Sequence, residues 1–247
     1  ITSSNQCFVD LQITDTEPLR ALLLIPISID KTASIAAQFH DESRSAVLDI
    51  QIPQLTYNNN DLTNIVLQCK TNGHKAEIQG QGSLYNDNTH IAAGLQATAQ
   101  EDKLSIGALW QSNPADFFTG VFSTDVLFSR NSKGDLETTI QSDSSHTTIN
   151  KSLWELHPFV ANIAPKHTTI SGFRFEHDAT QYLNIDGTIA DTHSDTLNVK
   201  LNDIDLSYLL SLVKLQGISF GGYVSGEIKV ADLYTPSPLV DANVKVN

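Results

Sequence analysis

His74-Lys75-Ala76-Glu77-Ile78-Gln79-Gly80-Gln81-Gly82-Ser83-Leu84 alternates apolar or small residues with polar ones over eleven positions. Successive side chains of a strand point to opposite faces, so this period of two predicts a strand with one apolar and one polar face. Ala76, Ile78, Gly80, Gly82 and Leu84 fall on the first face, and Lys75, Glu77, Gln79, Gln81 and Ser83 on the second. The same alternation returns in Leu104-Ser105-Ile106-Gly107-Ala108-Leu109-Trp110, Leu183-Asn184-Ile185-Asp186-Gly187-Thr188-Ile189, Leu197-Asn198-Val199-Lys200-Leu201 and Val224-Ser225-Gly226-Glu227-Ile228-Lys229-Val230. Short polar turns such as Thr71-Asn72-Gly73 and Arg130-Asn131-Ser132-Lys133-Gly134-Asp135 separate these runs, the pattern of an antiparallel meander.

Helix signals are sparse. One covers roughly 17–24, and another covers 205–214, with Leu206, Leu209, Leu210 and Val213 on one side and Asp203 or Asp205 placed as an N-cap. Both belong to a longer recurrence. Pro18–Pro26, Ser34–Phe39 and Ile52–Tyr57 read like Leu206–Val213, Gly222–Ile228 and Ser237–Ala242, each a helix leading to strands, which points to a modular β architecture. The expected fold is therefore mainly β: an elongated, curved antiparallel sheet of open-groove type with one or two short helices. A soft boundary near 150, after the polar stretch Gln141–His146, separates a β-rich segment 1–150 from a second segment 151–247 that continues the same sheet.

Composition narrows the function. The chain of 247 residues carries 15 Lys and Arg against 28 Asp and Glu, for a net charge of -13. Such a balance disfavours nucleic acid and anionic membrane surfaces, which are bound through basic side chains. No apolar run reaches the length that spans a bilayer, since Ala21–Ile29 is broken by Pro26. A start without Met, with no signal sequence, and a stop within the alternation Val244-Lys245-Val246 read as a piece of a longer protein. Cys7 and Cys69 form no CxxC pair and read as idle thiols or as one disulfide.

No chemistry-bearing motif appears. The eight histidines form neither HxH nor HExxH, and neither GxSxG nor a P-loop is present. His157, inside Trp154-Glu155-Leu156-His157-Pro158-Phe159, reads as a packing residue, and Asp203 and Asp205 as capping groups rather than Ca²⁺ ligands. No catalytic residue, metal or cofactor is expected, and the protein is read as a non-enzyme.

The informative residues are the apolar strand faces. They suit either the inner wall of a β-sandwich or an open trough that shelters acyl chains, and Gly and Ala within the faces favour the trough by leaving room. Candidate trough-lining side chains are Ala76, Ile78, Leu84, Ile106, Leu183, Ile185, Ile189, Leu197, Val199, Leu201, Val224, Ile228 and Val230. The competing expectation is a surface or periplasmic β-sandwich adhesin or glycan-binding module, with Trp110, Tyr85 or Tyr182 as sugar-stacking rings.

Trp154-Glu155-Leu156-His157-Pro158, Thr169–Phe175, Gln181–Gly187 and Gly221–Gly226, together with the segment from Pro18 to Gly80, resemble the TamB branch of the AsmA-like proteins, in the versions found in Bacteroidetes. The resemblance implies a long periplasmic protein of a Gram-negative envelope, anchored in the inner membrane and engaging an outer-membrane BamA-type barrel through parts outside this fragment. It further implies phospholipid as cargo in a β-taco groove, and a role in outer-membrane biogenesis.

Overall fold

The structure, a computed structural model, describes residues 6–17, 26–57, 60–86, 89–115, 117–191, 195–205, 222–234 and 237–247. Both expected helices lie outside the described residues, apart from their first positions. The described residues form a mainly β protein of curved antiparallel sheet, as the alternation requires. The chain divides into two compact units between Val121 and Phe122, whereas composition placed a boundary near 150.

The first unit contains β1 (Gln6–Ile13), β2 (Ile27–Ile29), β3 (Ala33–His40), β4 (Ser45–Tyr57), β5 (Asn60–Asn72), β6 (Lys75–Asn86), β7 (Thr89–Gln100) and β8 (Lys103–Asn113). The pairings run β1–β3–β4–β5–β6–β7–β8, with β2 on the far end of β4. The described turns of the first unit use residues of positive φ, namely Arg44, Gly73 and Glu101. Between β5 and β6, for example, Gly73 adopts a φ of 80°, while Asn72 Oδ1 accepts the Lys75 N–H at 3.2 Å.

The division falls in β9 (Phe118–Arg130). The second unit goes on through β10 (Leu136–Ser142), β11 (Ser145–Ile149), β12 (Ser152–Leu156), β13 (Phe159–Ala164), β14 (His167–Glu176), β15 (Tyr182–Ala190), β16 (Thr196–Asp205), β17 (Tyr223–Ala231) and β18 (Leu239–Val246). Its pairings run β9–β10–β13–β14–β15–β16–β17–β18, while β12 joins β11 to the other end of β14. β10 and β11 are thus one strand interrupted at Asp143-Ser144, and β12 and β13 are one strand interrupted at His157-Pro158. The two interruptions lie opposite each other, because Ser142 pairs with Phe159 and Ser145 with Leu156. Pro158 has no N–H to give a ladder, so a break at that position is expected.

Buried apolar residues gather around this break. Trp154 is 2% exposed and stacks on Phe175 with centroids 5.0 Å apart, and Ile149 and Ala161 are buried nearby in the sheet. In the first unit, Ala33 is the one buried apolar residue among those described. The chain's accessible surface is 15771 Å² for 27.0 kDa. A globular monomer of that mass exposes about 10,800 Å², and two half-sized domains about 13,000 Å². The chain thus exposes more surface than either, while burying about 60% of the roughly 39,000 Å² that its extended form would expose.

Candidate functional site: two apolar sheet faces

Directly paired residues of adjacent strands share a face, so the registers show how far each apolar face extends. In the first unit one row runs Val9, Ala37, Leu48, Cys69, Ile78, Ala97, Ile106 across seven strands. The next row runs Leu11, Ile35, Ile50, Leu67, Gly80, Leu95, Ala108. Ala76 joins Ala99 and Leu104, and Leu84 joins Leu62 and Ile91. The reverse face is polar, with Asp10, Ala36, Asp49, Gln68, Gln79 and Gln96 in one row and the Gln68 amide donating to Asp49 Oδ1 at 2.8 Å.

The second unit repeats the arrangement. Val126, Ile140, Ala161, Ile170, Gly187, Leu197, Val230 and Val240 form one row across eight strands. Phe173, Ile185, Val199, Ile228 and Ala242 form the next, followed by Phe175, Leu183, Leu201, Gly226 and Val244. Val224 pairs with Ile204, and Ile189 with Thr168. Within each unit, the trough-lining residues read from sequence thus occupy adjoining rows of a single apolar face. Ile189 and Val224 are buried, at 6% and 7% exposure, and the other eleven are half-buried. Towards the sheet edges the faces open, with Val9 51%, Leu11 47% and Val240 61% exposed.

The glycines in these rows have a different cause from the one inferred from sequence. A Cβ on Gly187 would lie 2.2 Å from the Thr196 carbonyl oxygen, and one on Gly226 would lie 2.2 Å from that of Asn243, at φ values of 130° and 154°. At these two positions the small residue serves the approach of the neighbouring backbone. Gly80 does leave lateral space, and Leu67 and Leu95 partly take it up, at 3.4 and 3.8 Å from where a Cβ would sit.

Among the described residues three bulges, which alternation alone did not reveal, interrupt the faces. Two residues oppose one at Asn64-Ile65 against Gly82, at Ser171-Gly172 against Asp186, and at Asn202-Asp203 against Ser225. Each contains a residue with positive φ, namely Asn64 at 52°, Gly172 at 76° and Asp203 at 45°. Asp203 is therefore a bulge residue of β16, and the helix that it or Asp205 was expected to cap lies outside the described residues. Its N–H donates to Ser225 Oγ at 2.8 Å, and its carboxylate accepts from the same hydroxyl at 2.9 Å.

The polar side of the break in the second unit holds a connected side-chain network. His157 Nε2 lies 2.6 Å from Glu176 Oε1, and Arg174 Nε donates to Glu176 Oε2 at 2.5 Å. The Arg174 guanidinium also lies 4.2 Å over the Tyr182 ring and reaches Asn184 Oδ1 at 3.2 Å. Burial pushes the Glu176 carboxyl up, but hydrogen bonds from Arg174 and His157 outweigh it and hold the group below its ordinary range. Here His157 is a hydrogen-bond partner of Glu176, which lies opposite Glu155 in the ladder.

Each of the three rings considered for a glycan site has an aromatic or cationic neighbour on one side, and Tyr85 is 45% exposed. Tyr182 lies under Arg174, Tyr85 stacks on His90 at 4.3 Å, and Trp110 stacks on Phe118 at 5.6 Å. Among the described residues no group of His, Cys, Asp and Glu is placed to hold a metal ion, and no helix is long and apolar enough to cross a membrane. Cys7 and Cys69 are free. They stand on β1 and β5, three interstrand steps or about 14 Å apart, beyond the reach of a disulfide.

Fold and faces define a class, that of mainly β proteins built from broad antiparallel sheets with one apolar and one polar face. No family model, no curated protein and no solved structure matches the chain.

Proposed function

We propose that this chain is a segment of a TamB-like periplasmic envelope protein that carries phospholipid along its apolar sheet faces between the inner and outer membranes and thereby supports outer-membrane biogenesis. The observation that supports the reading is the apolar face that spans seven strands of one unit and eight of the other, on which most large side chains are only half-buried. Acyl chains laid against such a face leave water at a gain of roughly 25 cal/mol per Å². A lipid moving along a continuous apolar wall exchanges one such contact for another, so transit needs no nucleophile, cofactor or metal. The polar reverse faces water. On this reading the protein is not an enzyme, and its inner-membrane anchor and BamA-type barrel contacts lie in parts of the longer protein outside these residues.

Photo-crosslinking tests the reading directly. A crosslinking residue placed at Ile78 or Ile185 is expected to capture glycerophospholipid in cells, and one at the adjoining Glu77 or Asn184, on the reverse face, is expected not to. Mass spectrometry of organic extracts from the purified chain should find the same lipid. Equal labelling on both faces, or none at Ile78 and Ile185 in a folded protein, would exclude the lipid trough.

A further inference from the structure

One row of the second unit's apolar face runs Phe128, Thr138, Ile163, Thr168, Ile189. It is open on one side of Thr168 and closed on the other, because Phe128 and Ile163 are 36% and 41% exposed but Ile189 only 6%. The chain that follows β17 accounts for the difference. Asp232 is buried and turns with a φ of 57° where the β17 ladder ends, and Tyr234 then places its hydroxyl 2.8 Å from that of Thr168. β16 and β15 stand between β17 and β14, so this contact spans three interstrand steps, or about 14 Å. To reach Thr168 on the apolar face, Tyr234 crosses the ends of β16 and β15, where Ile189 stands. Tyrosine suits the place, since its ring covers apolar surface while its hydroxyl takes a polar partner.

We propose that Asp232–Tyr234 is a strap that closes the Ile189 end of this face. For its cargo the proposal rests on the lipid reading above: the closed strap keeps acyl chains on the rows of Leu183 and Ile185, and release of Thr168 by Tyr234 admits them to Ile189. The strap is built to open. Leu233 is 48% exposed and Tyr234 39%, so closure buries little of the strap's own apolar surface, the mark of a segment that opens at low free energy. The hydroxyl pair that holds Tyr234 to the face is itself exposed, and one neutral hydrogen bond shifts such an equilibrium by only about two- to tenfold. Opening would join Ile189 to the exposed part of its row at Ile163 and Phe128.

Thiol labelling reads the strap without lipid. In the 247-residue chain carrying Cys7→Ser and Cys69→Ser, a polar maleimide should modify Ile163→Cys rapidly and Ile189→Cys slowly, with circular dichroism to establish that each variant is folded. Tyr234→Phe should speed labelling at position 189 by about two- to tenfold and leave position 163 unchanged. Thr168→Val should act alike, and the two together should do no more than either, since both remove the same bond. A small aliphatic diazirine residue at position 189, which needs no cysteine, should capture phospholipid more in Tyr234→Phe by a similar factor. Equal labelling at 163 and 189, an unchanged rate at 189 once the bond is removed, or effects of the two substitutions that add, overturns the strap. Faster labelling with unchanged lipid capture at 189, where Ile185 does capture lipid, overturns its control of the face. Lack of capture at Ile185 with labelling as expected sinks the lipid reading and leaves the strap standing.

Discussion

Ile185 and Ile189 stand on the same face of β15, four residues apart, yet differ in what surrounds them: Ile185 is half-buried and Ile189 is 6% exposed. Replacing each by Asp measures how open the face is. Full burial of an isoleucine is worth about 1.5–3 kcal/mol, so losing the two thirds or more of it that is buried at Ile185 costs about 1–2.5 kcal/mol. The poor strand preference of Asp adds up to about 1 kcal/mol. The new carboxylate at position 185 stays hydrated, so the total is about 2 kcal/mol, a fall in Tm on the order of 5–10 °C for a unit of this size. At Ile189 the whole side chain is lost and an ion is enclosed without a partner, which belongs among the changes costing more than about 4 kcal/mol. Urea denaturation followed by far-UV circular dichroism should show Ile185→Asp folded with a modest shift in midpoint, and Ile189→Asp largely unfolded. The two also differ with pH. Enclosure raises the carboxyl pKa at position 189, so mild acid should recover part of that loss and little of the loss at 185. Equal, severe destabilisation by both substitutions would mean that the face at Ile185 is a closed core, and the open-trough argument would fail with it.

Other outcomes follow from single features. Gly187→Ala should destabilise the second unit by about 2–4 kcal/mol, because its Cβ would meet a backbone oxygen at 2.2 Å at a φ of 130°, whereas Gly107→Ala, with no heavy atom within 4 Å, should shift thermal stability by less than about 1 kcal/mol. Trp154→Ala should cost about 3–5 kcal/mol in chemical denaturation, since the ring is 2% exposed and stacked on Phe175; a loss under about 1 kcal/mol would mean that the break is not packed around it. Glu176 has a folded pKa below its ordinary value of 4.5, so its stabilising contribution is complete above that value and is lost as pH falls through the lower, folded pKa. Glu176→Gln should therefore flatten the acid limb of the stability profile below about pH 4.5, and an identical acid limb in both proteins would remove Glu176 from that role.

Alternation made the strands and their faces legible because side-chain direction has a strict period of two. Ile78 and Ile106 could be assigned to one face from sequence, and the register through Ala97 joins them. What alternation cannot carry is any event that changes the count. Asn64, Gly172 and Asp203 each insert a residue into a ladder, and nothing in their local sequence distinguishes them from turn or cap residues. Asp203 looked like a helix cap because aspartate accepts backbone N–H bonds equally well at a helix end and at a bulge. The pairing of His157 with Glu176 was invisible for another reason. It joins residues nineteen apart through two strands that both meet β14, and only the interrupted topology brings them together.

The bulges also bear on how the two faces work. A bulge adds twist and bends its strand, and those at Ser171-Gly172 and Asn202-Asp203 sit on β14 and β16, on either side of β15. The strand between them carries Leu183, Ile185 and Ile189, so bends flank the apolar rows on which lipid is proposed to lie. Deleting Ser171 or Asn202 would leave one residue opposite one, with Ile170 and Phe173, or Leu201 and Ile204, still on the apolar face, but would remove the bend and added twist. Such a deletion is expected to lower lipid capture at Ile185 while β structure persists by circular dichroism. Unaltered capture in a folded deletion variant would mean that the bends do not shape the face.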